Sequence, residues 1–257
     1  MATAKKAAPA KPGTAVATVK KTSGAVVNIQ DMLRKQAASM SERTSPASGV
    51  GIRVTQDKQF VCPDGTKTDE LKVVIVDFVA RNEFYEGAFD KDNISPPACF
   101  AIGNQPNKLV PSDNSPQKQA DTCAECPMNA FGSQGKGKAC KNGRVLAVLP
   151  PGADADTPLW TLKVSPTALK NFDAFVQGVA RSFQAPPVAV IATVSFDDNV
   201  TYASLRFSDA TPNDDVATHF ARQDEARTLL EQEPDVSQYE APKPKAAPAR
   251  GKAVARR

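Results

Sequence analysis

The 257 residues are 41% hydrophobic and 23% charged, which suits one sizeable globular domain with tails or two small domains. The net charge of +4 is unevenly spread: residues 1–27 hold five lysines and no acid, 241–257 hold six Lys/Arg and no acid, 209–240 hold nine acids against two arginines, and 28–208 are neutral. No apolar run nears the ~20 residues that span a bilayer, the N-terminus lacks the apolar core of a secretory signal, and five cysteines without such a signal point to reduced intracellular thiols that favour metal binding over disulfides.

In chain order, residues 1–27 are rich in Ala, Lys and Pro and poor in large apolar side chains, as are 241–257. Both are expected to be disordered basic tails, serving as polyanion-binding arms or as solubilising ends. The body is expected over 28–208. Ile29, Met32, Leu33 and Met40 recur at helical spacing after Asn28, which predicts a short amphipathic helix over 28–42. After SPASG, strand signals dominate. IRVTQDKQFV alternates apolar and polar, CPDG reads as a turn, and LKVVIVDFVA reads as a buried strand. ACFAI (98–102), RVLAVL (144–149) and LWTLKV (159–164) predict three more.

SPTALKNFDAFVQGVARSF predicts a helix with Ser165 as cap, Pro166 at its first position and Leu169, Phe172, Phe175, Val176 and Val179 on one apolar face. VAVIATVSF and TYASLRFS are expected to pair across an Asp-Asn turn. Residues 214–232 predict a polar helix within an acidic segment, 209–240, and His219 reads there as a surface residue. Roughly seven short strands, one packed helix and a long insertion suggest a mainly β, OB-like antiparallel barrel, with a β-sandwich close behind. Phe78, Phe172, Phe175, Phe196 and Phe207 are assigned to its core.

The cysteines carry the sharpest signal. Cys123 and Cys126 form a C-x2-C knuckle, thirteen residues separate Cys126 from Cys140, and Cys99 ends a predicted strand upstream. Four thiolates around one ion make a closed, structural zinc site. The stretch between Cys99 and Cys140 has few large apolar residues, so a metal would give it one conformation. Cys62, in C-P-D-G, competes for a place in that set. Unmetallated loop cysteines are the plainer alternative.

GSQGKGKA (132–139) nearly matches a phosphate-binding loop, but Ala139 stands where a hydroxyl is needed and no helix follows. Lys136, Lys138, Lys141 and Arg144 nevertheless bring four cations into nine residues, with no acid between Glu125 and Asp154. Phe84, Tyr85, Phe89, Phe100 and Phe131 lie nearby in sequence. A basic groove with stacking platforms is what a single strand needs; the alternative is core aromatics beside a solvated loop. Asp77, Glu83 and Glu86 are the carboxylates that a metal-dependent nuclease would use, and their pattern is equally that of a solvated strand end. A non-enzymatic role is expected.

The run NEFYEGAFDKDN, PPACFAIG, CAECPMNAFGS, GKGKACKNGR and LKVSPTALKNFDAFVQGVA resembles a tailed-phage family of zinc-containing single-stranded-DNA-binding proteins of OB fold, over about residues 50–208. The resemblance implies Cys99, Cys123, Cys126 and Cys140 as ligands of one zinc, the basic loop with Phe84 and Tyr85 (and Phe131) facing DNA, a role in replication or recombination, and the host cytoplasm as location. Such proteins end in an acidic tail, whereas here a basic end follows 209–240. A zinc-stabilised regulatory protein that contacts polymerase or replication proteins through 209–240 is the other binding reading.

Overall fold

The computed structural model describes residues 50–87 and 95–239, together with Met32 and Gln36 as isolated helical positions. The chain divides into Met1–Ala47 and Ser48–Arg257, and every element below lies in the second unit. The tails expected at 1–27 and 241–257, most of the helix expected over 28–42, and Phe89 fall outside the described residues. Among the described residues no helix is long and apolar enough to cross a membrane.

The strands are β1 (Gly51–Val54), β2 (Phe60–Val61), β3 (Lys67–Thr68), β4 (Leu71–Phe84), β5 (Cys99–Gly103), β6 (Lys141–Leu149), β7 (Trp160–Val164), β8 (Val190–Phe196) and β9 (Leu205–Pro212). They form one open, strongly curled mixed sheet, a half-barrel, in the order β3-β2-β1-β7-β6-β4-β8-β9 with β5 on β4. Two features differ from an all-antiparallel barrel. β1 runs parallel to β7, with Gly51 opposite Thr161, and the strand order has two free ends. The 51–61 stretch also breaks in two, because Lys58 takes a left-handed φ of 54° and Gln59 N donates to Thr55 Oγ1 at 3.1 Å. CPDG makes the next turn: Gly65 N donates to Cys62 O at 2.9 Å, and a φ of 87° there calls for glycine. The β8–β9 connection is a longer loop closed by Asp197 N donating to Ser204 O, not a two-residue turn.

The apolar run in β4 is continuous because both faces are covered. Alternation sends successive residues to opposite cores, and a bulge between Ile75 and Asp77 shifts its phase, so that Phe78 joins Ile75 on one side and Val79 joins Val76 on the other. On one side lies α1 (Leu169–Phe183), preceded by a 3-10 turn that Pro166 opens. Its Phe172 is fully buried among Ile75, Leu146, Leu162 and Val194, with Phe78 and Phe207 edge-on at 5.1 Å each. Phe175 and Phe196 join the same core, as expected of all five aromatics. Ser165 meets the Thr167 hydroxyl at 2.9 Å instead of capping the backbone.

On the other side lie two short helices, α2 (Val216–Phe220) and α3 (Gln223–Leu230), where one polar helix was expected. Ala226 and Leu230 are buried against Val76, Val79, Val145 and Ala147, so this part of 209–240 belongs to the fold. His219, expected at the surface, is fully buried: Nε2 donates to Ala153 O and Nδ1 accepts from Asn213 Nδ2, each at 2.9 Å. That pairing assigns the neutral tautomer. Arg222 anchors the next turn, donating twice to Glu225 at 2.8 Å and to Thr157 O.

Leu230→Ala should therefore cost about 2–5 kcal/mol, and His219→Ala about 1–3 kcal/mol from the orphaned carbonyl and amide. Urea midpoints check both. A segment that merely hung from the domain would leave them unchanged.

Candidate metal centre and nucleic-acid interface

Residues 80–83 of β4 have neighbours on both sides, Asn82 pairing with Ala101 and Asn142 and Glu83 with Phe100 and Lys141, while Phe84 pairs with Cys99 alone. Cross-strand partners share a face and successive residues alternate. One face thus carries Asn82, Phe84 and Cys99, with Cys140 arriving one residue before Lys141. The other carries Arg81, Glu83 and Lys141, with Tyr85 following in step. Two sites form back to back.

The first is a thiol cavity. The 104–140 insertion folds over the Cys99 face: Cys123 N donates to Leu109 O at 3.0 Å, and Cys140 N to Met128 O at 2.8 Å. Asn129 shapes the knuckle, donating from N to Cys126 O at 2.9 Å and from Nδ2 to Cys123 O at 2.7 Å. Cys99, Cys123, Cys126 and Cys140 are all buried and line one cavity of about 10 Å3 with Asn82 and Phe84. That is room for one small ion.

Burial pushes the Cys140 thiol up to about 12, the neighbouring Cys123, Cys126 and Cys99 add to the rise, and Lys138 opposes it. Burial also raises Cys123, against a hydrogen bond from Asn82 and with Cys99 and Cys126. Cys123 and Cys140, held up by burial and by the neighbouring cysteines, need a cation before they ionise. Among the described residues no three or more His, Cys, Asp or Glu side chains stand as a ready cage, so closing on an ion requires these side chains to draw inward. Cys62 sits in the main core at the β2–β3 turn, apart from the other four.

The second site is a groove of about 460 Å3 between β1, β6 and β7, lined by Arg53, Glu83, Tyr85, Lys141, Lys163 and Ser165. Glu83 is only 5% exposed. Its Oε2 accepts from the Tyr85 hydroxyl at 3.0 Å and from Lys163 Nζ, while Arg81 Nε lies 3.9 Å from Oε1. A buried carboxylate persists only with such partners. Burial first, and Glu83 second, hold the Tyr85 hydroxyl well above its usual range, so it remains a neutral donor.

The glycine-rich loop forms a small hairpin beside this groove, bridged between Gln134 and Gly137. Its amides are engaged internally: Gly132 N and Gln134 N donate to Gly137 O, Gly137 N to Gln134 O, and Ala139 N to Ser133 Oγ. It therefore presents side chains to solvent, not a phosphate-cradling backbone. Phe131 is 82% exposed under Lys138 Nζ, 5.1 Å from the ring centroid. Lys141 Nζ donates to Gln134 Oε1 at 2.7 Å, which joins the hairpin to the groove. Lys136 is exposed at the tip.

Of the expected nucleic-acid residues, Tyr85 and Lys141 line the groove, and Phe131, Lys136 and Lys138 sit on the adjoining hairpin. Phe84 and Arg144 do not join them. Phe84 lines the thiol cavity, and Arg144 turns to the α1 side, 3.7 Å from Asp173. Phe100 is buried. Arg53 and Lys163 went unrecognised, although their places between apolar neighbours in IRV and LKV already put them on a solvent face. The three carboxylates considered for a nuclease are engaged separately: Asp77 accepts from Phe78 N, Glu83 holds Lys163, and Glu86 accepts from Tyr239.

Gly143 lies in the groove floor, where an added Cβ would stand 2.9 Å from Val164 O and 3.7 Å from Arg81 O. Gly143→Ala should force β6 and β7 apart and destabilise by about 1–3 kcal/mol; an unchanged urea midpoint would show that the strands yield freely. No family model, curated protein or solved structure matches this chain.

Proposed function

We propose that the chain binds single-stranded DNA without sequence preference, as an OB-like half-barrel built around one structural zinc ion, and acts inside the cell in phage replication or recombination. The observation that carries this reading is the groove: Arg53, Lys141 and Lys163 surround an exposed, hydroxyl-anchored Tyr85, with Phe131, Lys136 and Lys138 alongside. Cations along a channel engage phosphates, and aromatic faces accept any base. A duplex, with its bases stacked inside, gives Tyr85 nothing to stack on.

Zinc belongs to the neighbouring face. The donor chemistry fits: four buried thiols line one ion-sized cavity, and four thiolates around one ion would leave no open position for water or substrate. Cys99, Cys123, Cys126 and Cys140 would hold the ion, which supplies structure and not reactivity. It would fix the start of β6, and so Lys141, one residue beyond Cys140.

Two measurements test the reading. Metal analysis should find about one zinc per chain. Cys126→Ser should lose it and loosen the 99–140 insertion, whereas Cys62→Ser should retain it. Equal loss from both variants would show a different ligand set.

Fluorescence anisotropy with single- and double-stranded oligonucleotides should show a preference for the single strand that weakens with salt. Tyr85→Ala should cost about 1–3 kcal/mol of affinity, the worth of one stacked base. Lys141→Ala should weaken binding and flatten the salt slope. Undiminished binding by Tyr85→Ala would move the interface off the groove.

A further inference from the structure

Every polar atom of Cys123 has a partner. Its backbone N donates to Leu109 O at 3.0 Å, its backbone O accepts from Asn129 Nδ2 at 2.7 Å, and its sulfur accepts from the Asn82 side chain. Asn82 is held in turn: Asn142, directly across the β4–β6 ladder, donates from Nδ2 to its Oδ1 at 2.7 Å. That bond commits the carbonyl end of the Asn82 amide to β6 and leaves the donor end, Nδ2, for Cys123.

An amide is costly at this position. Asn82 is 5% exposed. Ala80, two residues before it, and Ala101, its partner on β5, share its face and cluster with Leu109 and Cys123. A buried amide is tolerated when its hydrogen bonds are made, and a neutral thiol is a weak acceptor for one. A thiolate is a better match, because a charged acceptor makes such a bond roughly twice as strong. The amide therefore suits the cation-binding form of Cys123 more than the free thiol.

We infer that Asn82 is a positioning residue of the metal centre: its amide, fixed by Asn142, aims at the Cys123 sulfur and holds that ligand in place for the ion. This rests on the zinc reading above. Closing on an ion requires the cysteine side chains to draw inward, and Cys123, with N, O and sulfur all engaged, is the ligand on which the others close. Partners that orient a ligand without touching the ion typically account for about ten- to hundredfold in metal affinity.

The test uses the full chain in three forms. The first is the parent. Asn82→Leu stays near the native shape but has no donor, and Asn142→Ala keeps the donor but removes its tie. Each is titrated with zinc against a chromogenic chelator. Each is then loaded with cobalt(II), whose absorption reports the number and geometry of the thiolates around it. Circular dichroism and the urea midpoints of the metal-free forms check the fold.

Asn82→Leu should bind zinc about ten- to hundredfold more weakly than the parent and shift the thiolate-to-cobalt bands. Asn142→Ala should fall between the two. An amide that only supports the sheet would lower the urea midpoint and leave both the zinc affinity and the cobalt spectrum of the folded protein at parental values; that result overturns the inference. If Asn82→Leu does not fold, Asn142→Ala decides: weaker zinc binding with shifted bands upholds the role, and parental values for both overturn it. If the parent takes up neither metal, the zinc reading fails and takes the inference with it.

Discussion

Side-chain alternation along the last residues of β4 is the constraint on which both sites depend. Between Ala80 and Glu83 the strand has a neighbour on each side, so each of these residues is committed to one face by two ladders at once, and Phe84 and Tyr85 continue the alternation. Asn82 and Phe84 must serve the thiol cavity, and Arg81, Glu83 and Tyr85 must serve the groove. A slip of one position would exchange the two sets. The buried Glu83 carboxylate adds a chemical penalty to such a slip, because it would leave behind the Tyr85 hydroxyl, Lys163 and Arg81 that make its burial tolerable.

Much of this architecture could be read from the chain. The alternation in LWTLKV, the apolar face of SPTALKNFDAFVQGVARSF and the unbroken run of LKVVIVDFVA each impose one arrangement, and the core phenylalanines follow from them. The knuckle spacing likewise brought Cys99, Cys123, Cys126 and Cys140 to one cavity. What stayed hidden depends on partners far apart in sequence. His219 on a polar helix looks solvated until Ala153 O and Asn213 are in place. Phe84 and Tyr85 look like a pair until the ladder sends them to opposite faces. Arg144 looks like a fourth cation of the basic loop until Asp173 arrives from α1. The acidic composition of 209–240 conceals two buried apolar residues, Ala226 and Leu230, that suffice to dock its second helix.

The near-match GSQGKGKA shows how a local pattern can mislead about chemistry. Its glycines serve a tight hairpin, with φ of 88° at Gly132 and 59° at Gly135, and its amides close on its own carbonyls. The cations are what remain outward. A loop of this kind presents charge and one aromatic ring. It does not supply the fixed amide array that grips a particular phosphate.

The parallel pairing of β1 with β7 has a consequence for how the protein is made. β1 has a local partner in β2, yet its place in the sheet exists only once the chain as far as Val164 has been synthesised. Ile52 and Phe60 belong to a core that also draws on residues from β7 onward, including Leu162 and Phe196. The wall that carries Arg53 therefore waits on a strand far along the chain, a non-local contact of the kind that slows folding. The groove is completed only by that pairing, because β1, β6 and β7 together form its walls.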